Sequence, residues 1–198
     1  MELATLLAFA VFVIVMTGTP GPGNLTFLAI GASSGYRTAF PVIVASMLGS
    51  LPLKLGVAYG LGHVMAAGGP IVTVFKVLSM AYMSYLAWRI VSLSVRPKGE
   101  VAPPSFWEGL LIHPLSPKTW AMNLVAFSTF FAGNGLSVHE NALILVSGFT
   151  LGGLFFHSLW ALAGVSILAL IGEGAVMRAI TVVMAVAMLG ATLWALVL

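Results

Sequence analysis

The sequence predicts an all-α integral membrane protein. Six transmembrane helices form two inverted three-helix repeats, with spans one and four broken by proline–glycine motifs. Three observations carry this prediction. First, 60% of the 198 residues are hydrophobic, 7% are charged and mean hydropathy is +1.10, whereas a soluble domain is about 25% charged. Second, uncharged stretches long enough to cross a bilayer recur at 3–36, 55–75, 119–139, 141–172 and 179–198, a crossing helix needing about 20 apolar residues. Third, Lys and Arg gather in alternate connections. Soluble enzymes, nucleic-acid binders and disordered tails are excluded by this composition. The pI of about 9.5 reflects few groups and no basic stripe. With no cysteine, disulfide frameworks, thiol catalysis and Cys-ligated metals are excluded as well.

Dividing the chain at Gly/Pro-rich or charged punctuation gives spans near 3–32, 39–62, 70–93, 106–131, 141–171 and 175–197. The segments are apolar all round, with no alternation of period two, so helices are expected and a barrel is not. Met1-Glu2 carries no basic n-region, so the first segment is expected to be a retained span. The connections after spans one, three and five hold Arg37; Arg89, Arg96 and Lys98; and Arg178. The remaining connections and both termini hold no Lys or Arg. The positive-inside rule then places both termini outside. A rival reading makes the broken first segment re-entrant and leaves five spans.

Residues 94–105 resemble a linker, with Arg96-Pro97-Lys98-Gly99-Glu100 and Pro103-Pro104. They divide a single transmembrane domain, 1–198, into pseudo-repeats 1–95 and 105–198. Three spans is an odd number, so the second repeat is inverted relative to the first. This is an architecture of secondary transporters that hold substrate at interrupted helices. The interruptions are Thr19-Pro20-Gly21-Pro22-Gly23-Asn24 in span one and His113-Pro114-Leu115-Ser116-Pro117-Lys118 in span four. Each proline removes a backbone donor, and the groups it frees are tolerated at membrane depth only against protein or a wet cavity. A proline kink that merely shapes packing is the simpler alternative. Gly56 with Gly60, and Gly148 with Gly152, have GxxxG spacing and are expected to pack helices closely.

Three motifs resemble the LysE/RhtB family of amino-acid exporters: Pro20-Gly21-Pro22-Gly23-Asn24; the run from Lys76 through Tyr82, Tyr85 and Trp88 to Arg89; and Phe106-x-x-Gly109 leading to Ser116-Pro117-Lys118. The resemblance spans essentially the whole chain. It implies a small exporter of amino acids or related metabolites in the bacterial inner membrane, driven by the proton gradient. The chain departs from the family pattern at three places. Ser116 stands where Asn is common; Gly49-Ser50 lacks an acid in span two; and His157, three residues before Trp160, takes the place of an acid in span five. A cationic substrate is therefore disfavoured.

Lys54, Lys76 and Lys118 fall within spans, where a charge near the bilayer centre costs about 3 kcal/mol on insertion scales and marks function. Lys76, six residues past Pro70, is expected to snorkel to the interface. Aspartate is absent, and Glu2, Glu100, Glu108, Glu140 and Glu173 fall at span ends or loops. The interior is thus net positive. Lys118 or Lys54, with backbone donors around Gly21 to Asn24, is expected to hold a substrate carboxylate. The candidate substrate site is Pro20, Gly21, Pro22, Gly23, Asn24, Lys54, Ser116, Pro117 and Lys118. His157 is the candidate proton-coupling residue, or else a structural histidine bonded to Ser158 or Ser50. His113 is a weaker candidate, and His63 and His139 are assigned to outer loops.

No HExxH, P-loop or dinucleotide fingerprint occurs. Gly31-Ala32-Ser33-Ser34-Gly35 reads as a helix terminus and not as a protease serine motif. The expected partners are a neutral or acidic amino acid or other small organic acid, protons and membrane lipid, with self-association open. No cofactor, metal or nucleic acid is expected. A passive channel, or a non-transporting subunit of a larger complex, is the alternative.

Overall fold

The structure is a computed structural model that describes residues 1–61, 65, 68–95, 102–172 and 174–197. His63, Arg96, Lys98, Glu100 and Glu173, with the expected end of span two and most of the linker, lie outside the described residues. The described helices are α1 (Leu3–Gly18), α2 (Pro22–Ser34), α3 (Tyr36–Ala58), α4 (Pro70–Val95), α5 (Phe106–Ile112), α6 (Pro117–Ala126), α7 (Val138–Ile171) and α8 (Ala175–Val197). No strand occurs among the described residues.

Among the described residues, four helices are long and apolar enough to cross a membrane: α3, α4, α7 and α8. The pair α1 and α2, bent by 52° at its break, makes up to five. The stretch expected as span four is two short helices, α5 of 7 residues and α6 of 10, prolonged by a π-helical turn at Phe127–Phe131.

Local chemistry sets these boundaries. Pro22 and Pro117 each occupy the first turn of their helix, where a missing N–H costs nothing and φ is already helical. Ser105 with Glu108, and Ser137 with Glu140, form capping boxes that start α5 and α7. Gly35, at φ 81, ends α2 by bonding the Gly31 carbonyl and starts α3 in a single residue. The Gly31–Gly35 stretch is thus the helix terminus that its sequence suggests.

Glycines bring two helix pairs into backbone contact. A Cβ on Gly31 would stand 2.1 Å from the Ala161 carbonyl oxygen, and one on Gly164 would stand 2.0 Å from that of Leu28, so α2 is laid directly on α7. A Cβ on Gly49 would come within 1.9 Å of the Leu110 oxygen, which presses α3 onto α5. Gly148 and Gly152 face Phe9 and Val13 of α1, at 2.8 and 2.6 Å from the added Cβ, in the close packing expected of them. Gly56 and Gly60 are placed differently. Gly56 faces Leu61 of its own segment, and Gly60 turns the chain at φ 106 just after α3. Spacing alone cannot separate a packing pair from a helix end.

Two apolar clusters hold the bundle. One joins Phe27, Ile43, Leu86, Ile112 and Met188; the other joins Phe9, Leu53, Met122, Phe131 and Phe149. Phe9 meets Phe130, Phe131 and Phe149 edge to face, with centroids 5.0–5.9 Å apart, a favoured aromatic arrangement. Lys76 is exposed on α4.

Candidate functional site

The two breaks lie against each other. Where α1 stops, Pro20 and Pro22 cannot donate to the carbonyls of Met16 and Gly18, and Thr17, Thr19 and Pro20 also present free oxygens. Side chains take up this row. Thr19 Oγ1 donates to Met16 O at 3.3 Å, Asn24 Nδ2 to Thr17 O and Thr19 O at 2.8 Å each, and Trp160 Nε1 to Gly18 O at 3.0 Å. Lys118, from the second break, donates to Thr19 O and Thr19 Oγ1 at 2.9 Å and to Pro20 O at 3.3 Å. All three protons of its ammonium are thereby used.

Both breaks also restart a helix towards the same space. Gly21 and Ser116 are the N-caps of α2 and α6, and neither helix has a side-chain cap bond. The uncapped first turns carry the positive ends of two helix dipoles. Between them is a cavity of about 30 Å³ lined by Gly21, Pro22, Gly23, Asn24, Ser116 and Lys118, with His113, His157, Thr17, Thr119, Met16 and Met122. A space of that size holds about one water. The glycines of the first motif keep it open. A Cβ on Gly21 would come within 2.8 Å of Lys118 Cδ, and one on Gly23 within 3.1 Å of His113 Cε1. Gly21 has an extended backbone, so closeness to Lys118, and not φ, requires the glycine.

The histidines stack. The rings of His113 and His157 are 5.0 Å apart at 26°, and Phe27 lies 4.9 Å from His157. His157 Nδ1 meets Asn24 Oδ1 at 2.5 Å. Its partner is therefore Asn24, not Ser158, which takes the Tyr36 hydroxyl proton, nor Ser50, which donates to Met47 O. His113 Nδ1 pairs with Thr119 Oγ1 at 3.2 Å, while its Nε2 is buried without a partner. His139, expected in an outer loop, lies instead in the first turn of α7 and pairs with the Tyr59 hydroxyl at 2.7 Å.

Of the ten residues singled out from sequence, seven line the cavity. Pro20 lies in the break beside it, and Pro117 is buried at the start of α6. Lys54 stands apart in the α3–α7 interface. It is 1% exposed, and its ammonium has one hydrogen bond, to Thr150 Oγ1 at 3.0 Å. It remains within electrostatic reach of His113 and His157, as does Lys118. No carboxylate lines the cavity. Sequence reasoning missed Thr150 and Trp160. Thr150 lies two helical turns before His157 and so shares its face, and a buried indole N–H needs an acceptor. Both signals were available.

The Lys76–Arg89 motif forms a separate cluster with Glu108. Tyr85 donates to Glu108 Oε1, and Tyr82 to the Glu108 carbonyl. Arg89 pairs with Glu108 at 3.5 Å through Nε, without an aligned hydrogen bond, and gives Nη2 to Ala102 O and Pro103 O at 2.9 and 3.1 Å. Arg89 thus belongs to α4 and not to a loop, and it ties the end of that helix to the start of α5.

The chain is similar to the cysteine/O-acetylserine efflux protein of Escherichia coli strain K12, at 29% identity over 163 residues, which are 79% of this chain and 80% of the relative. Proteins of the same name from Shigella flexneri serotype 5b and Escherichia coli O1:K1 are 29% and 28% identical over the same shares. No solved structure matches it. The LysE type translocator family matches residues 12–197. A chain of apolar helices, matched over nearly its whole length and built around paired helix breaks, is a transporter and not an enzyme: this protein belongs to the LysE type translocator family.

Proposed function

We propose that the chain exports a small neutral amino acid across the bacterial inner membrane by proton-coupled alternating access. One observation carries the reading: two uncapped helix starts and Lys118 face one cavity that no acid lines. Such a site suits a carboxylate, because backbone donors, helix dipoles and an ammonium all favour negative charge. It offers no carboxylate that would pair with a cationic side chain. The relatives are named for cysteine and O-acetylserine efflux, and both compounds are small and neutral, so the neutral class is favoured over the acidic one.

The inverted repeat is part of the proposal. Pro22 of α2 and Pro117 of α6 hold equivalent places after their breaks. α3 packs on α7 and α4 on α8, pairing the second and third helices of the two halves. Six crossings with both termini outside follow if α5 and α6 together complete a span, as α1 and α2 do. In this reading Lys118 exchanges its carbonyl contacts for the substrate carboxylate when the breaks separate, and Lys54 supplies a second positive charge.

Purified protein in liposomes tests this directly, with labelled O-acetylserine, cysteine, glutamate and lysine, each with and without an imposed pH gradient. Saturable, gradient-dependent efflux of the neutral pair is expected. Efflux of lysine alone would overturn the site, and unsaturable flux would replace the carrier with a channel.

A further inference from the structure

We infer that Asn24 is a positioning residue: it fixes His157 with a hydrogen on Nδ1 and so leaves Nε2 as the acceptor for which substrate ammonium and coupling proton compete. The inference rests on the proton-coupled reading above. It starts from the orientation of one amide. Asn24 is 3% exposed, and its Nδ2 lies 2.8 Å from each of two carbonyl oxygens, Thr17 O and Thr19 O. Turned the other way, the amide would set its own oxygen against both, acceptor on acceptor. One orientation therefore survives, and in it Oδ1 faces His157 Nδ1 at 2.5 Å. An amide oxygen only accepts, so Nδ1 must donate. In the neutral ring the lone pair is then on Nε2, the only place where that ring takes up a proton.

The surroundings leave that atom unengaged. Nε2 of His157 has no hydrogen-bond partner among the described residues. Gly153 keeps the approach clear, because a Cβ there would stand 3.4 Å from Nε2 and 2.6 Å from Met47 Sδ. His113 cannot take the same part by geometry alone, since its partner, the Thr119 hydroxyl, can either donate or accept. Asn24 distinguishes the two stacked rings.

An amino acid brings an ammonium as well as a carboxylate, and the cavity has no acid to receive it. The Nε2 lone pair is suited to that ammonium, with Lys118 placed for the carboxylate. The charged or titratable groups facing His157 from its packing partners are Lys54 of α3, Lys118 of α6 and His113 at the end of α5; the described parts of α1, α2 and α8 present none. A proton from the outer side binds Nε2, the ring becomes an imidazolium, and the lone pair that held the ammonium is gone. Proton and substrate thus exclude each other at one atom, which is what exchange in opposite directions requires.

The test is ¹⁵N spectroscopy of histidine-labelled protein in liposomes, with His157→Gln identifying the signal, alongside O-acetylserine efflux. The wild type is expected to show the Nδ1–H tautomer at His157. Asn24→Ala should shift it towards Nε2–H and lower the ratio of gradient-driven to gradient-free efflux about tenfold, equivalent to about 1.4 kcal/mol of coupling. An Nε2–H tautomer in the wild type overturns the proposal without recourse to any variant, as does an Asn24→Ala spectrum identical to wild type. If a pH gradient leaves wild-type efflux unchanged, proton coupling itself is wrong and the competition at Nε2 falls with it, while the tautomer still reports on Asn24.

Discussion

At the end of α4, Glu108 receives Tyr85, the Ser105 amide and Arg89, and every charge in the cluster has an opposite neighbour. Around the cavity the sum is different: Lys118, His113 and His157 line it, Lys54 stands within electrostatic reach of both rings, and no acid is among the lining residues. The first cluster is complete and has no reason to change. In the proposed function the lysine charge at the second, which burial makes costly, is met by the arriving carboxylate. Both draw on motif residues, yet one fastens helices and the other is proposed to receive a ligand. Charge balance, more than polarity, separates them.

Four substitutions would break or sharpen that contrast. Lys118→Ala should have the largest effect. It removes the ligand and leaves Thr19 O and Pro20 O short of donors, so efflux should fall about 100-fold, about 2.7 kcal/mol, and thermal stability should fall by about 1–3 kcal/mol. Lys54→Met separates the two lysines. Efflux should drop comparably, but a melting curve should show stability unchanged or raised, because an apolar side chain replaces a buried ammonium that has a single hydroxyl partner. If Lys54→Met melts well below wild type, Lys54 is structural. Gly21→Ala should reduce efflux about tenfold, about 1.4 kcal/mol, with little change in melting, since the added methyl meets the flexible Lys118 chain and the backbone there is unstrained. Glu108→Gln should do the reverse, lowering stability by about 1–3 kcal/mol and leaving the KM for efflux near wild type. A large KM change there would mean that the two clusters communicate.

Much of this was legible in the sequence, and for identifiable reasons. Helix ends at Gly18, Pro22, Ile112 and Pro117 follow from prolines, whose effect on the backbone is local. The cavity residues Gly21 to Asn24, Ser116 and Lys118 were legible because a break at membrane depth exposes polar groups that must go somewhere. Partners were harder to read. His157 could have bonded any nearby polar side chain, and the choice of Asn24 depends on α2 lying flat on α7, which Gly31 and Gly164 permit through backbone contacts 130 positions apart. Lys54 was correctly marked as buried, but which helix it would face depended on the rotation of α3. The role of the Tyr82–Arg89 run escaped because its partner, Glu108, belongs to the other half of the chain.

One consequence of α7 concerns the lipid and not the substrate. At 34 residues and about 1.5 Å of rise per residue, it is about 50 Å long, against a hydrocarbon layer of about 30 Å. The helix that carries His157 and Thr150 must lean or emerge, and its lean depends on the thickness of the bilayer around it. The same helix is welded through Gly164 to α2 and meets Lys54 of α3. Acyl-chain length is therefore expected to act on this transporter: across liposomes of progressively longer lipids, efflux should vary with the tilt that the bilayer imposes on α7.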